Sequence, residues 1–168
     1  MLNEFIQRLM MLRQFSMEDT RITLFRQDQM LLDTDFVVKM QELAPEKFYQ
    51  TVKANAKEKL AAYTKVFGSS PESVSEDTLK RLFGSLGFGS LEILQLNRTE
   101  KRVFFRLDDS PIVAAYKRLK IKKSAPACTF ISGVLAGAFS AIFQKDVNCK
   151  ETGCALKPGE KKCNFIVE

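Results

Sequence analysis

The sequence predicts an α/β (α+β) fold, a small and mostly antiparallel sheet with helices packed on it. Three observations point there. Apolar residues recur at helical spacing through the N-terminal half, and the period changes to two from Leu91. An uncharged helical stretch then precedes two short strand-like segments at the end. A chain of 168 residues can bury one good core and is too short to expect two, so 1–168 reads as a single domain.

Leu2, Phe5, Ile6, Leu9, Met10, Leu12 and Phe15 follow helical spacing, which predicts an amphipathic helix over 1–16. Residues 21–27 alternate around Ile22, Leu24 and Arg26 and read as a first strand. A helix over 30–43 should stop before Pro45. Phe48, Val52, Ala56, Leu60, Tyr63 and Phe67 form one stripe of the next helix, ended by Gly68. After Ser69-Ser70-Pro71, Ser75 can cap a helix with Glu76 and Asp77 in its first turn. Residues 91–96 and 101–107 read as a hairpin turning at Asn97-Arg98-Thr99-Glu100. Ser110 caps a helix that has Pro111 at its first position. A buried helix follows over 128–143, where Gly133 and Gly137 share a face and let another backbone approach closely. Strands near 147–151 and 163–167 complete the chain.

Composition narrows the function classes. The net charge is +6, but 117–123 carries five positive charges in seven residues, and without it the excess is +1. A phosphate-tracking protein needs cations spread across a face, so this run reads as a solvated helix end and no nucleic-acid partner is expected. Residues 124–144 carry no charge, yet their strongly apolar part begins only at Phe130. That is short for a bilayer and suits a buried helix, so no membrane span is expected. No basic and apolar secretory leader opens the chain, and the expectation is a cytoplasmic protein with reduced cysteines. Histidine is absent, which removes Ser-His-Asp and Cys-His nucleophilic sites and imidazole proton shuttles. Gly84, Gly87 and Gly89 have the wrong spacing for a phosphate loop. Asp108-Asp109 adjoins the Ser110 cap and suits the helix start better than acid/base work. No catalytic residue is assigned.

The positive signal is Cys128, then Glu151-Thr152-Gly153-Cys154, then Cys163. Thiolates and a carboxylate suit Zn²⁺ in a closed tetrahedron, and the turn over 155–162 can bring the last two sulfurs together. Three thiolates, one carboxylate and a dication sum to −2, which Lys150, Lys157, Lys161 and Lys162 could offset. Spacing alone leaves disulfides or unrelated thiols open, with Cys149 as a competing ligand.

Asp109-Ser110-Pro111, the stretch 128–137, Glu151-x-x-Cys154, Gly159 and Cys163-Asn164-Phe165 resemble the 4-vinyl-reductase domain family. The resemblance is specific over about 108–167, marking that segment as a zinc-bearing core, and diffuse over about 20–107. It implies a small-molecule-binding module whose fold is that of the small TRAPP vesicle-tethering subunits. In members that sense aromatic compounds an upstream cysteine, a glutamate and two later cysteines hold a structural zinc. Those positions match Cys128, Glu151, Cys154 and Cys163, which leaves Cys149 a bystander.

The resemblance therefore implies a non-catalytic sensory protein with zinc as cofactor. Two alternatives accompany it: a TRAPP-like dimeric interaction subunit, and an accessory of tetrapyrrole vinyl reduction. The aromatic sensors grip phenols with histidine and tryptophan, and this chain has neither. A pocket between the sheet and the helix starting at Cys128 would be walled by Val103, Phe105, Leu107, Phe130, Val134 and Leu135, with Tyr63 or Tyr116 as hydroxyl donor. Such walls favour a neutral, hydrophobic ligand, because a buried unpaired charge is costly. The apolar face Leu2, Phe5, Leu9 and Leu12 suggests a homodimer. Any sensory output would need an unidentified protein partner.

Overall fold

The computed structural model describes residues 4–123 and 126–168. Leu2 and the first two residues of the uncharged stretch 124–144 lie outside the described residues. The chain divides into two compact units, Met1–Asp33 and Thr34–Glu168.

In the first unit, α1 (Glu4–Met11) is followed by β1 (Phe15–Glu18), β2 (Arg21–Leu24) and β3 (Gln27–Gln29), an antiparallel meander. The helix is shorter than the spacing over 1–16 predicts. Arg13 takes a left-handed backbone (φ 53°), the Gln14 N–H closes on the Leu9 carbonyl, and Phe15 pairs with Leu24 in the sheet. Phe15 belongs to the apolar repeat by accident of spacing. The expected apolar face is also redistributed: Leu9 is buried, whereas Met11 and Leu12 are exposed. The strand expected over 21–27 is in fact two strands. Phe25 and Arg26 both have positive φ (49° and 61°) and form a two-residue hairpin turn between β2 and β3. Asn-Gly or Asp-Gly usually marks such a turn, and Phe-Arg carries no such signal.

The second unit contains α2 (Thr34–Leu43), α3 (Pro45–Val66), a 3₁₀ turn (Pro71–Ser73) and α4 (Glu76–Ser85). Next come β4 (Ser90–Asn97), β5 (Arg102–Asp108), α5 (Pro111–Leu119), α6 (Thr129–Phe143), β6 (Cys149–Gly153) and β7 (Cys163–Val167). The four strands pair antiparallel in the order β4-β5-β7-β6. The local signals act as their chemistry requires. Ser75 Oγ accepts the Thr78 N–H at 3.1 Å, and Ser110 Oγ accepts the Val113 N–H at 3.3 Å. Asn97 Oδ1 accepts the Thr99 and Glu100 N–H groups in the β4–β5 turn. The helix expected over 30–43 begins only at Thr34, just after β3.

Helix α6 is buried on nearly every side. One face meets the sheet, where the Phe139 ring lies edge-on to Phe105 with centroids 5.1 Å apart. The opposite face meets α3 through glycine, as the sequence predicts: a Cβ on Gly137 would stand 2.2 Å from the Lys53 carbonyl oxygen. Lys53, only 7% exposed, donates to Asp146 and Asn148 and so keeps its charge paired beside this contact. The basic run is held against α2: Arg118 pairs with Asp35 and Lys123 with Glu42. No helix among the described residues is long and apolar enough to cross a membrane.

Candidate metal centre

Four segments converge near the start of α6. Cys128 is the residue before the helix, Glu151 sits in β6, Cys154 follows β6, and Cys163 opens β7. Glu151 and Cys154 are three apart, a spacing that puts side chains on opposite faces of a regular strand. A register shift between Glu151 and Gly153 breaks that alternation, the bulge leaving Thr152 as the extra residue. The loop then turns back through Lys157 N–H to the Cys154 carbonyl and Glu160 N–H to the Lys157 carbonyl, with Gly159 at φ 86°. That reversal sets Cys163 beside Cys154.

The ligand atoms of Cys128, Glu151, Cys154 and Cys163 all lie within 4.8 Å of one another. Cys128 Sγ is 3.7 Å from Cys163 Sγ, which is 4.0 Å from Cys154 Sγ. Those are non-bonded separations, and all four cysteines are free. A tetrahedron with metal–sulfur bonds of about 2.3 Å has edges of about 3.8 Å, so the sulfurs are already spaced for it. The three cysteines are fully buried at 0% exposure.

The carboxylate supplies a second indication. Glu151 Oε2 accepts two backbone N–H groups, from Ala127 at 2.6 Å and Cys128 at 3.0 Å. Its other oxygen, Oε1, is buried with no hydrogen-bond partner. An orphaned carboxylate oxygen facing three sulfurs is costly unless a cation satisfies it. Burial pushes the Glu151 carboxyl above the usual carboxylate range, and the Cys154 sulfur adds to that, while the Cys128 and Ala127 N–H groups pull it back. Among the thiols, hydrogen bonding to Cys154 and Cys163 pushes Cys128 up, and the same contact with Cys128 pulls Cys154 down. Without a cation the cluster shares protons instead of ionising fully. Unit charges 4 Å apart repel by about 4 kcal/mol at an effective dielectric constant of 20, so four anions here require a dication.

The offset for negative charge comes from closer than the lysines the sequence suggests. Ala155 N–H donates to Cys163 Sγ at 3.4 Å, the Leu156 N–H bonds Cys154, and Ser110 Oγ lies 3.8 Å from Cys128 Sγ. Lys162 pairs with Asp108 and Lys150 with Glu168. Cys149 is buried nearby but outside the four-residue group, bonded to the Ser132 side chain, and burial pushes its thiol up.

Of the residues expected to wall a pocket, Val103, Phe105, Leu107, Tyr116 and Leu135 are at most 1% exposed in the core. Phe130 and Val134 are only partly buried. Phe130 packs with Phe48 of α3 and with Phe88, centroids 6.3 and 5.3 Å apart. The Tyr116 hydroxyl is engaged: it donates to Glu42 and accepts from Gln41 Nε2 at 2.8 Å. Gln41, fully buried in α2, was not singled out by the sequence, because its neighbourhood carries no motif. A separate groove of about 550 Å³ lies along Pro45, Tyr49, Thr129, Ser132, Asn148 and Lys150, and shares none of the expected pocket residues.

The zinc-type ligand set sits in a segment whose family is identifiable. Residues 103–168 match the 4-vinyl-reductase domain family. The four ligand positions thus lie within the matched segment, and the antiparallel order of β5, β7 and β6 is part of it. No curated protein matches the chain in sequence. Among solved structures, the phenol-responsive sensory domain of the transcription activator PoxR, crystallised with phenol, superposes with a TM-score of 0.72. It is 16% identical, with 98% of this chain and 88% of that one covered. A vinyl-4-reductase family protein from Methanocaldococcus jannaschii gives 0.56 at 21% identity, covering 83% of each chain. Subunit 3 of a trafficking protein particle complex from Naegleria fowleri, covalently bound to palmitic acid, gives 0.50 at 12% identity, covering 81% of this chain and 94% of that one. The fold is therefore the one shared by 4-vinyl-reductase domains and the small TRAPP subunits.

Proposed function

We propose that the chain is a non-catalytic binding or sensory protein. A structural zinc held by Cys128, Glu151, Cys154 and Cys163 closes the 4-vinyl-reductase segment, and a small neutral hydrophobic molecule is the ligand. The observation that carries the sensory reading is the superposition on a phenol-responsive sensory domain along 98% of the chain. Four protein ligands leave no open coordination position for an activated water, so the metal's role is to hold structure. Sulfur donors select zinc over magnesium or calcium, and thiolates persist in a reducing compartment such as the cytoplasm.

The ligand class follows from the walls. Val103, Phe105, Leu107 and Leu135 are apolar, and the hydroxyl of Tyr116 is already taken. The half-buried rings of Phe48, Phe88 and Phe130 offer an apolar mouth. A charged ligand would meet no partner among these groups and would cost several kcal/mol to bury. Screening by thermal shift should find stabilisation by neutral aromatic hydrocarbons or lipid chains and none by matched carboxylates. Stabilisation by the carboxylates alone would refute the pocket.

A second reading, a dimeric interaction subunit, has its own observation. Phe36, Met40 and Leu43 on α2 recur at helical spacing and are 51%, 38% and 79% exposed. Such a stripe on a surface helix is the kind of face a second copy covers. Light scattering at micromolar concentration should give twice the chain mass, 19.1 kDa per copy. A monomeric mass would remove the homodimer.

A further inference from the structure

The backbone carrying Cys128 is gripped from two sides by side chains of different elements. From β6, Glu151 accepts the N–H groups of Ala127 and Cys128. From α2, the Gln41 carboxamide donates to the Ala127 carbonyl at 2.6 Å and accepts the Phe130 N–H at 3.1 Å. Cys128 itself makes no side-chain cap to α6, so Gln41 takes the place of the missing cap. The second Gln41 N–H goes to the Tyr116 hydroxyl, which donates in turn to Glu42, the partner of Lys123. Both donors and the acceptor of a 0% exposed amide are thus used. A fully satisfied buried network of this kind specifies one backbone position, and a partly satisfied one is costly.

Resting on the zinc reading above, we infer that Gln41 is a positioning residue for the metal centre and that metal affinity depends on how α2 is seated. Gln41 touches no ligand sulfur. It fixes the turn over 127–130, and with it where Cys128 Sγ stands relative to Cys154 and Cys163. Loss of that grip leaves all four ligands present and one of them misplaced. Anything that lifts α2, including loss of the Lys123–Glu42 and Arg118–Asp35 pairs, then weakens the site from a distance.

The test is metal affinity by competition with a chromophoric chelator, paired with the Co²⁺ spectrum of the cobalt-loaded protein. Gln41→Met keeps the volume and removes the three hydrogen bonds. It should raise the metal dissociation constant by roughly ten- to a hundredfold, as loss of outer-shell partners does elsewhere, and alter the thiolate-to-cobalt band. Leu60→Ala is the control for general destabilisation. Leu60 is a core residue of α3 beyond Lys57, away from the start of α6, and its variant should bind metal like the parent. If Gln41→Met does not fold, Tyr116→Phe carries the test with a several-fold rise. Parent-like affinity in the Gln41 variant, or an equal loss in the Leu60 variant, overturns the inference alone. A parent chain that takes up no stoichiometric metal overturns the zinc reading and this inference with it.

Discussion

Protein carrying Cys163→Ser is expected to purify without bound zinc and to melt far below the parent. Cys163 stands between the other two sulfurs, 3.7 Å from Cys128 and 4.0 Å from Cys154, so its loss removes the centre of the ligand set. Metal binding and folding are one free energy in such sites. In small zinc domains the apparent binding term is about 10–16 kcal/mol, and whole-domain stabilities are about 5–15 kcal/mol, so losing even part of it is decisive. The remaining thiols and the Glu151 Oε1 atom would then be buried without a cation. Cys154→Ser should behave the same way. Cys149→Ser should keep a full complement of metal, because Cys149 lies outside the four-residue group. Elemental analysis decides, and a full equivalent of zinc in the Cys163 variant would refute the ligand assignment.

The second large effect is a contrast between two helical glycines. Gly137→Ala places a Cβ 2.2 Å from the Lys53 carbonyl oxygen, 2.7 Å from Ala56 Cβ and 2.9 Å from the Lys57 nitrogen. Two of those are backbone atoms of α3, so a rotamer change cannot relieve the overlap and the helices must separate. Overpacking costs about 1–3 kcal/mol and sometimes more, against a gain of about 1 kcal/mol from the better helix former. The clash should prevail, lowering the unfolding midpoint. Gly84→Ala in α4 meets nothing closer than the Gly89 carbonyl at 3.8 Å, an ordinary contact. There the propensity gain stands alone, and the variant should be up to ~1 kcal/mol more stable. Denaturant titration of both variants checks the pair. A Gly137→Ala protein as stable as the parent would mean that α3 and α6 do not pack this closely.

The structure also changes what the basic run over 117–123 means. The sequence leaves it as a solvated helix end, yet Arg118 and Lys123 reach back to Asp35 and Glu42, about eighty positions earlier. Seven residues separate Asp35 from Glu42, two turns of α2, so both ends of that helix are tied to α5 and the loop after it.

By itself the sequence determined the parts of this protein whose physics is local. The caps at Ser75 and Ser110 and the Asn97 turn need only neighbours three residues away or fewer, and they stand where their chemistry placed them. The glycine face of α6 and the alternation of β5 report burial directly, because an amphipathic or all-apolar period has few other uses. The four metal-site residues were also visible, through residue types that rarely cluster without a metal. Only the tertiary structure decided the rest. The Phe25-Arg26 turn had no propensity signal, since β2 and β3 hold two poor turn residues in left-handed conformations. The bulge that lets Glu151 and Cys154 face one point exists only because β7 pairs beside it. Gln41 is the clearest case. A glutamine on a helix is ordinarily a surface residue, and its role arises only where α2, α5 and the start of α6 meet, 75 to 89 positions apart in the chain. Hydrogen bonds over that separation leave no period in the sequence, because each depends on the packing of all three elements at once.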